Sequence, residues 1–377
     1  MKVLTVLGTR PEIIRLSAVM ARLDQFVEHK IIHTGQNYDY ELNEVFFRDL
    51  KVRKPDYFLN VDTSSVGRVY GDVLSKSEEV FRAERPDAVV ILGDTNSALA
   101  AIMARRMKIP IYHLEAGNRC YDLNVPEETN RKIIDHISDF NLVYTEHARR
   151  QLLSEGIPHR RIYLIGSPMR EVLLTHRDAI NASTAVSQLG LEPRKYLLVS
   201  AHREENVDNQ ANLRSLLAAL ESAAATFNLP VIVSTHPRTR KRLEKLPDWR
   251  ASDRIQFMKP FGFLDYVNLQ QHAFCVISDS GTICEESSML GFPAVTCRNA
   301  IERPEAMDAG TIVVTGLAPE TIVDAIRLQT SAAALNMPMI APADYQIENT
   351  SWRVVKLIVG TAKLTHLWDG VRPNDLA

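Results

Sequence analysis

The segment Phe274–Glu305 constrains the fold more tightly than any other part of the chain. An apolar run over Phe274–Ile277 ends in the tight-turn sequence SDSG at Ser278–Gly281. A helical pattern follows over Thr282–Leu290, and a second apolar run begins at Pro293. Strand, turn, helix and strand in this order are typical of a parallel sheet, because two parallel strands need a crossover connection. The segment therefore predicts an α/β fold.

The turn inside this segment predicts an anion site. It is rich in hydroxyl groups and contains Gly281, so the free N–H groups of the helix start can face an anion. Glu285 and Glu286 in the first helical turn would repel a phosphate, unless one of them accepts hydrogen bonds from a neutral diol such as a ribose. A phosphate beside a diol describes a nucleotide. The alternative is that both glutamates only complement the helix dipole.

Length and composition narrow the class of protein. A chain of 377 residues is long enough for two ordinary domains. Its 44 Lys+Arg against 46 Asp+Glu leave no basic excess of the kind that nucleic-acid binders show. The sequence has no apolar stretch of membrane-spanning length and no signal-peptide core. The four cysteines have no CxxC spacing, as suits a reduced cytoplasmic protein. From these features together we expect a cytoplasmic protein with neither nucleic-acid nor membrane partners.

Two arginines lie in or close to the first glycine-containing turn. The predicted strand Val3–Leu7 leads into GTRPE at Gly8–Glu12, and a helix is predicted from Ile13. Arg10 and Arg15 lie at or just inside this helix start, a poor place for cations unless an anion binds there. The alternative is a pair of solvated arginines. Neither GxGxxG nor GxxxxGK occurs in the chain, so we expect no tightly bound nicotinamide cofactor and no P-loop.

Three carboxylates occupy comparable positions in the first half of the chain. Asp94 follows the predicted strand Val89–Leu92, and Glu115 follows the predicted strand Ile109–Leu114. Glu127 opens the next helix. Open α/β sheets bind ligands beyond the carboxyl ends of their strands, so a shared pocket is predicted. Each carboxylate also has a structural alternative, as a helix cap, an ion-pair partner or a complement to a helix dipole.

Apolar spacing predicts two further helices. One spans Tyr40–Asp49. The other begins at Glu127 and should bury Ile133, Ile134 and Ile137 on an apolar face.

The second half repeats the arrangement at His202. This residue follows the predicted strand Tyr196–Ser200 and precedes a helix within Asn209–Phe227, with Arg203 beside it. A single histidine at such a place is more often an ordinary loop residue than a catalyst. Arg303, near the end of the segment Phe274–Glu305, is placed to return toward the anion site.

A helix-breaking sequence marks the expected domain boundary. Gly166-Ser167-Pro168 directly follows a predicted strand and indicates a hinge. We therefore expect one Rossmann-like domain over residues 1–167 and a second over 168–346. An amphipathic pattern over Ile347–Val359 predicts that the segment 347–377 crosses back to the first domain.

Seven short motifs together resemble one family, the non-hydrolysing UDP-N-acetylglucosamine 2-epimerases. Two α/β halves with ligand groups at strand ends already suggest a nucleotide-sugar enzyme. The motifs occur in the order of the family across almost the whole chain, and together they are highly specific. They are GTRPE at Gly8–Glu12, GDT at Gly93–Thr95, EAG at Glu115–Gly117, PEExNR at Pro126–Arg131, AHRExN at Ala201–Asn206, SDSG at Ser278–Gly281 and ERPE at Glu302–Glu305.

The resemblance implies a glycosyltransferase-B-like fold, with two Rossmann-like domains facing a cleft. It also implies a UDP-sugar substrate, no metal, no cofactor and a homodimer. Inverting C2 of the sugar by eliminating and re-adding UDP needs acid/base groups on two faces and cations for the diphosphate. The catalytic residues implied are Asp94, Glu115, Glu127 and His202. The substrate-binding residues implied are Arg10, Arg15, Arg131, Arg203, Ser280, Gly281, Thr282, Glu286 and Arg303.

Variants within these motifs resemble a subgroup of the family. Position 15 is arginine where many members have lysine, and Thr282 replaces the usual second glycine after SDSG. With HTGQNYDYELNE at His33–Glu44 and AGNRC at Ala116–Cys120, they resemble enzymes that convert UDP-2-acetamido-2,6-dideoxy-L-talose to UDP-N-acetyl-L-fucosamine for capsule or O-antigen synthesis. We expect that reaction, with UDP-N-acetylglucosamine 2-epimerisation to UDP-N-acetylmannosamine as the alternative.

Two other functional classes share part of the pattern. A glycosyltransferase of the same architecture would share the nucleotide site but need an acceptor groove and only one catalytic base. A non-catalytic UDP-sugar sensor would need no acid/base groups. The three carboxylate positions favour the epimerase, and we expect neighbouring carboxylates to drive their pKa values apart, which would supply both protonation states.

Overall fold

The computed structural model of the chain describes residues 1–35, 46–246, 249–250 and 252–371. These residues form two compact units, of which one is Met1–Thr175 with the described part of Asp344–Ala377, and the other is His176–Ala343. Each unit is built on one parallel sheet with helical crossovers, so the predicted α/β class is confirmed. The predicted helix Tyr40–Asp49 and the motif at His33–Glu44 lie largely outside the described residues.

The sheet of the first unit has seven parallel strands within the described ranges. They are β1 (Lys2–Leu7), β2 (Glu28–His33), β3 (Tyr57–Phe58), β4 (Ala88–Leu92), β5 (Ile111–Leu114), β6 (Phe140–Val143) and β7 (Ile162–Leu164). Their order across the sheet is β3-β2-β1-β4-β5-β6-β7. β4 is buried along its whole length, as is typical of parallel sheets that are covered on both faces. The strand order reverses at β1, a position where open α/β sheets bind ligands.

The helices of this unit begin close to the predicted positions. Up to Thr175 the described ones are α1 (Arg10–Phe26), α2 (Val66–Glu84), α3 (Ala100–Arg106), α4 (Glu127–Ile137), α5 (Glu146–Ser154) and α6 (Pro168–Thr175). α1 begins inside GTRPE, three residues before the predicted start, because Thr9 and Glu12 cap its first turn and Pro11 fits there. A short 3₁₀ turn, Asn96–Leu99, precedes α3.

The inward side of α4 is mixed, because Ile134 and Ile137 pack on the apolar core as predicted while polar side chains are buried beside them. Ile134 is buried, but Ile133 is 39% exposed. The other buried residues of this helix are Glu128, Asn130, Arg131 and Asp135. Their side chains bind the turns that follow β4 and β5, so polar contacts orient the helix together with its apolar packing.

The second unit repeats the architecture with six parallel strands in its described part, in the order β10-β9-β8-β11-β12-β13. These are β8 (Leu197–Ser200), β9 (Val231–Ser234), β10 (Ile255–Met258), β11 (Cys275–Ser278), β12 (Ala294–Thr296) and β13 (Val313–Val314). The helices are α7 (Arg177–Asn181), α8 (Ala185–Gln188), α9 (Glu204–Val207), α10 (Gln210–Phe227), α11 (Pro237–Leu243), α12 (Phe263–His272), α13 (Ile283–Leu290), α14 (Pro304–Asp308) and α15 (Pro319–Ala334). β11, α13 and β12 confirm the predicted strand–turn–helix–strand unit.

The last two helices belong to the first unit. They are α16 (Thr350–Thr361) and α17 (Thr365–Asp369). The guanidinium of Arg22 on α1 lies 4.1 Å from the ring centroid of Trp352, a cation–π contact that fastens α16. Gly166 has φ of +78°, and a Cβ atom there would lie 2.5 Å from that of Ile347, so this position requires glycine. Among the helices that the structure describes, none is long and apolar enough to cross a membrane.

Candidate active site

The carboxyl edge of the first sheet brings two predicted catalytic carboxylates together. β4 and β5 are neighbours, with Leu92 paired with Leu114, so the turns that follow carry Asp94 and Glu115 next to each other. A Cβ atom on Gly93 would lie 3.3 Å from Oε2 of Glu115. The Glu115 carboxylate therefore rests against the turn that holds Asp94.

Glu115 has an unusual backbone conformation. Its φ of +67° lies in the left-handed region, which residues other than glycine seldom adopt. Such conformations persist only where the surrounding structure enforces them, and they cluster at functional sites. The outlier is independent support for a functional role of Glu115.

Arg15 is bound to this carboxylate. Its Nη1 donates to Oε2 of Glu115. The side chain of Arg15 is 5% exposed and that of Glu115 is 13% exposed, so the ion pair is largely shielded from water. Two residues that the sequence placed in one site are therefore in direct contact.

Arg131 on α4 connects Asp94 with a carboxylate that sequence reasoning did not assign. Its Nε and Nη2 lie 2.9 Å and 2.7 Å from Oδ2 of Asp94, while its Nη1 lies 2.9 Å from Oε2 of Glu128. Glu128 also accepts the N–H of Cys120 at 3.1 Å. Burial raises the pKa of Glu128, but the Cys120 N–H and Arg131 lower it by more, so the net pKa lies below its usual range. The i, i+3 spacing of Glu128 and Arg131 on a helix was the available sequence signal.

The two carboxylates also have charged partners that sequence reasoning did not pair with them. Asp94 and Glu115 each face a buried arginine, Arg131 and Arg15 respectively. The expected separation of the pKa values of neighbouring carboxylates stays a prediction. At this edge of the sheet, carboxylates alternate with arginine cations and do not form a purely acidic cluster.

Glu12 is a second carboxylate that sequence reasoning missed. Its Oε2 accepts the N–H groups of Gly8 and Thr9 at 2.8 Å and 2.7 Å and the Thr9 hydroxyl at 2.9 Å. Its Oε1 accepts the hydroxyl of Thr95 at 2.9 Å, so this side chain ties the GTRPE turn to the GDT turn. Burial raises the pKa of Glu12 to about 7, against the opposing effect of these hydrogen bonds. The T-x-x-E spacing of a capping box would have revealed it.

Two other predicted residues begin helices at this end of the unit. Arg10 is the first residue of α1, and its guanidinium lies 5.7 Å from the ring centroid of Phe46. Glu127 is the first residue of α4 and is half-buried beside Glu128. The positions of Arg10 and Glu127 at helix starts agree with the prediction from the sequence. Their roles in binding and catalysis stay predictions.

In the second unit, Asp279 of SDSG organises the loop that carries His202. The N–H of His202 lies 3.0 Å from both carboxylate oxygens of Asp279, and the N–H of Arg203 donates to Oδ2 at 2.9 Å. Nδ2 of Asn206 donates to the same oxygen at 3.1 Å. Asp279 is fully buried and the His202 side chain is 38% exposed, so a buried acid holds an accessible imidazole in place. Sequence reasoning gave Asp279 no role of its own.

The predicted phosphate turn gathers hydroxyl groups and cations. The hydroxyls of Ser280 and Thr282 lie 2.9 Å apart at the start of α13. The carbonyl of Gly281 accepts Nε–H of Arg303 at 2.9 Å. Nη2 of Arg203 would lie 3.7 Å from a Cβ atom on Gly281. The structure thus brings these five predicted binding residues together.

The two adjacent glutamates of α13 have different partners. Oε2 of Glu285 lies 3.2 Å from Nη2 of Arg303, and both side chains are buried. Oε2 of Glu286 accepts Nε2–H of Gln270 at 2.6 Å. Neither glutamate therefore acts only as a complement to the helix dipole. Because Glu285 is held by Arg303, Glu286 is the better candidate for a ligand diol.

A further ion pair lies beside this turn. Arg298 donates from Nη1 and Nη2 to the two carboxylate oxygens of Glu302 at 2.5 Å and 2.8 Å, in a buried bidentate arrangement. Nη2 of Arg203 lies 3.9 Å from Oε1 of Glu302. In the described part of the chain, no group of three or more His, Cys, Asp or Glu side chains is arranged to hold a metal ion.

Comparison with known proteins agrees with this fold. The family model described as UDP-N-acetylglucosamine 2-epimerase matches residues 21–359. The UDP-N-acetylglucosamine 2-epimerase of Methanocaldococcus jannaschii is 34% identical over 337 residues, 87% of this chain and 92% of the relative. The UDP-2,3-diacetamido-2,3-dideoxy-D-glucuronate 2-epimerase of Pseudomonas aeruginosa is 35% identical over 333 residues, with 87% and 92% covered.

Solved structures share the fold over almost the whole chain. The structure of UDP-N-acetylglucosamine 2-epimerase from Rickettsia bellii matches with a TM-score of 0.90 and 44% identity, covering 98% of this chain and 99% of the other. The M. jannaschii enzyme in complex with UDP-GlcNAc and UDP matches with a TM-score of 0.89 and 32% identity, covering 96% and 100%. The glycosyltransferase WaaG, at 11% identity and a TM-score of 0.61 over 96% of this chain and 100% of its own, shares the fold alone.

The two parallel-sheet units define a glycosyltransferase-B-like α/β protein, as predicted. The chain belongs to the UDP-N-acetylglucosamine 2-epimerase family and is an isomerase of the non-hydrolysing type. None of the relatives described above is named for N-acetyl-L-fucosamine synthesis.

Proposed function

We propose that this enzyme inverts C2 of a UDP-linked 2-acetamido sugar by eliminating UDP and adding it back. The observation that carries the proposal is the pairing of Asp94 with Arg131 and of Glu115 with Arg15 at adjacent strand ends. Acid/base groups set against fixed cations are what a reaction that moves a proton and expels a diphosphate requires.

The elimination step balances without a redox partner. A base removes the C2 proton, the C–H electron pair forms the C1–C2 double bond, and the C1–O bond breaks with its electrons leaving on UDP. Addition of UDP to C1 and of a proton to the opposite face of C2 gives the epimer. We assign proton transfer to Asp94, Glu115 and Glu127, with Arg10, Arg15 and Arg131 as the cations of this unit.

We assign nucleotide binding to the second unit. Ser280, Gly281 and Thr282 supply hydroxyl and backbone groups for phosphate, with the guanidinium groups of Arg203 and Arg303 nearby. Glu286 is assigned to the ribose diol. His202, held by Asp279, is assigned to the diphosphate as it departs and returns. The relative whose structure is named as a complex with UDP-GlcNAc and UDP supports this class of ligand.

The comparisons favour UDP-N-acetylglucosamine as substrate and UDP-N-acetylmannosamine as product. Most of the relatives are named for UDP-N-acetylglucosamine. UDP-2-acetamido-2,6-dideoxy-L-talose is the second candidate, because Arg15, Thr282 and the AGNRC sequence resemble the enzymes that form UDP-N-acetyl-L-fucosamine for capsule or O-antigen synthesis. The relative that acts on a diacetamido glucuronate is named for a different sugar at similar identity, so family membership leaves the sugar open. We also propose a homodimer, which sedimentation can test.

The deciding experiment incubates the enzyme with single UDP-sugars in deuterated water, without an acceptor. An epimerase gives a mixture of two C2 epimers, and the product carries deuterium at C2. Faster turnover of UDP-N-acetylglucosamine than of the 6-deoxy-L-talo compound supports the first substrate, and the reverse order supports the second. If C2 gains no deuterium from either compound or from other UDP-hexosamines, the epimerase proposal fails and the glycosyltransferase alternative takes its place.

A further inference from the structure

His113 lies beneath the two turns that carry Asp94 and Glu115, which we call the catalytic turns after the roles proposed for these residues. It is the penultimate residue of β5, and its side chain is fully buried. Its Nε2 lies 2.8 Å from the carbonyl oxygen of Gly93, the residue before Asp94. Its Nδ1 lies 2.9 Å from Oδ1 of Asp135 on α4. The imidazole therefore joins the turn after β4 to the polar face of α4.

Both ring nitrogens of His113 face acceptors. A carbonyl oxygen has no hydrogen, so the contact with Gly93 requires a hydrogen on Nε2. Asp135 is surrounded by donors, since Arg119 Nη1 lies 2.7 Å from Oδ2 and the Gly117 N–H lies 3.2 Å from the same oxygen. Nδ1 of His113 lies within ion-pair distance of Oδ1 of Asp135 but does not have the angle of a hydrogen bond, so this contact is one of proximity. Burial raises the pKa of Asp135, but His113 and Arg119 lower it by more, so its net pKa lies below the usual range.

Asp135 holds the other catalytic turn. The N–H group that it accepts belongs to Gly117, two residues after Glu115. Gly117 has φ of +83°, and a Cβ atom there would lie 2.5 Å from the carbonyl oxygen of Ala148, so this turn is closely packed. His113 thus contacts the backbone next to Asp94, and Asp135 contacts the backbone two residues after Glu115.

We propose that His113 and Asp135 form a positioning pair that sets the two acid/base carboxylates relative to each other. The inference rests on the proposed roles of Asp94 and Glu115. Glu115 has φ of +67°, in the left-handed region, and a residue other than glycine needs outside contacts to hold it there. Gly93, with φ of +69°, adopts this conformation without strain, so at its turn the contact with His113 fixes position rather than relieves strain. The pair supplies these contacts from inside the protein, where neither residue touches a substrate.

The consequence should appear in the fate of the reaction intermediate. Epimerisation needs one group to take the C2 proton and another to return a proton to the opposite face. A small displacement of either carboxylate slows the return, because proton transfer depends steeply on placement. The alkene and UDP then have more time to leave the enzyme. Free UDP formed per epimer formed should therefore rise, while affinity for UDP stays the same.

This ratio separates positioning from simple loss of folded protein. Unfolded molecules make neither product, so the ratio of released UDP to epimer does not depend on the folded fraction. His113→Phe removes both contacts while keeping most of the volume. His113→Gln places an amide N–H near the position of Nε2 and preserves donation to Gly93. His113→Gln also provides a test of the proposal if His113→Phe does not fold.

His29 offers a matched control in the same sheet. It is a buried histidine in β2, with Nδ1 2.6 Å from Oδ1 of Asp24 and Nε2 2.9 Å from the Thr5 hydroxyl. It lies at the amino end of its strand, opposite to the candidate site. His29→Gln therefore disturbs a similar histidine–aspartate contact without reaching the catalytic turns.

We expect His113→Phe to lower turnover per folded molecule by about 10- to 100-fold and to raise the UDP-to-epimer ratio. His113→Gln should fall between this variant and the unaltered enzyme, and His29→Gln should keep the original ratio. The positioning role is overturned if folded His113→Phe, or His113→Gln where the former does not fold, retains the original turnover and ratio. Failure of the proposed function is distinct, because the unaltered enzyme would then show no deuterium exchange at C2.

Discussion

Arg15 on α1 donates to the carboxylate of Glu115, 100 positions further along the chain. Both side chains are largely buried, so each charge is compensated by protein groups, the other residue among them, rather than by water. Removing only one member leaves a buried charge without this partner, whereas removing both does not. The two residues should therefore be coupled in stability and in turnover.

The first prediction tests this coupling with substitutions at Arg15. Arg15→Met should destabilise the protein by about 3 kcal/mol, because it leaves the Glu115 carboxylate without its arginine. Arg15→Lys keeps a cation and should lose less stability and less turnover. The double variant Arg15→Met with Glu115→Gln should be more stable than the sum of the single effects implies. Urea denaturation of the unaltered protein, Arg15→Met, Glu115→Gln and the double variant gives the coupling, and strictly additive effects would show that the pair is not energetically linked.

The second prediction concerns the three candidate proton-transfer groups. Asp94→Asn, Glu115→Gln and Glu127→Gln keep side-chain shape but remove acid/base capacity. Each should lower turnover by a factor of about 100 or more, while the dissociation constant for UDP stays the same. Glu78→Gln is the control, because Glu78 lies on α2 and forms an exposed i, i+4 pair with Arg82. If one of these variants turns over as fast as the unaltered enzyme, the substituted residue does not transfer a proton in the reaction.

A third prediction follows from the elimination mechanism. Proton removal and expulsion of UDP require no hydride acceptor, and the sequence contains neither a dinucleotide fingerprint nor a metal-binding motif. Turnover should therefore survive thorough removal of nicotinamides and treatment with a chelator. The check is the rate of C2 deuterium incorporation before and after each treatment. A loss of rate that added NAD restores would favour transient oxidation of the sugar instead.

Glu12 gives a prediction for the dependence of stability on pH. Burial raises the pKa of this carboxyl from 4.5 to about 7. Between these values the folded state binds more protons than the unfolded state, so this residue makes the free energy of unfolding fall as pH rises. Glu12→Gln imitates the protonated form and should remove this contribution. The stability of the unaltered protein should therefore decline relative to Glu12→Gln from about pH 4.5 to about pH 7, with little relative change above. Denaturation curves across this range would contradict the prediction if the two proteins stay parallel.

The sequence sufficed to predict the sheet edges and the residues displayed there. Buried parallel strands are continuous apolar runs, and the polar residue after each run must lie at the carboxyl edge. That reasoning placed Asp94 and Glu115 correctly in neighbouring turns. It could not give their partners, because Arg131 reaches Asp94 through the orientation of α4, which depends on tertiary packing.

Helix orientation also explains the remaining differences. Apolar spacing favoured burial of Ile133, but the helix directs polar side chains toward the turns that carry Asp94 and Glu115 and leaves Ile133 39% exposed. The adjacent residues Glu285 and Glu286 are identical in sequence, yet they point to Arg303 and Gln270 respectively. Which of two neighbouring glutamates meets a cation is set by the rotation of α13 in its packed position, information that a single sequence does not contain.

The last prediction uses this difference to locate the nucleotide. Glu286 is assigned to the ribose diol, so Glu286→Ala should raise the dissociation constant for UDP in calorimetric titration. Gln270→Ala should have a smaller effect, because it removes only the side chain that donates to Glu286. UDP at 100 times its dissociation constant should stabilise the unaltered enzyme by about 2.7 kcal/mol, and Glu286→Ala by less at the same concentration. Glu320→Ala is the control, because Glu320 is exposed at the start of α15 in the same unit. An unchanged affinity in Glu286→Ala would remove this residue from the nucleotide site, and Glu285 with its partner Arg303 would then be the next pair to test.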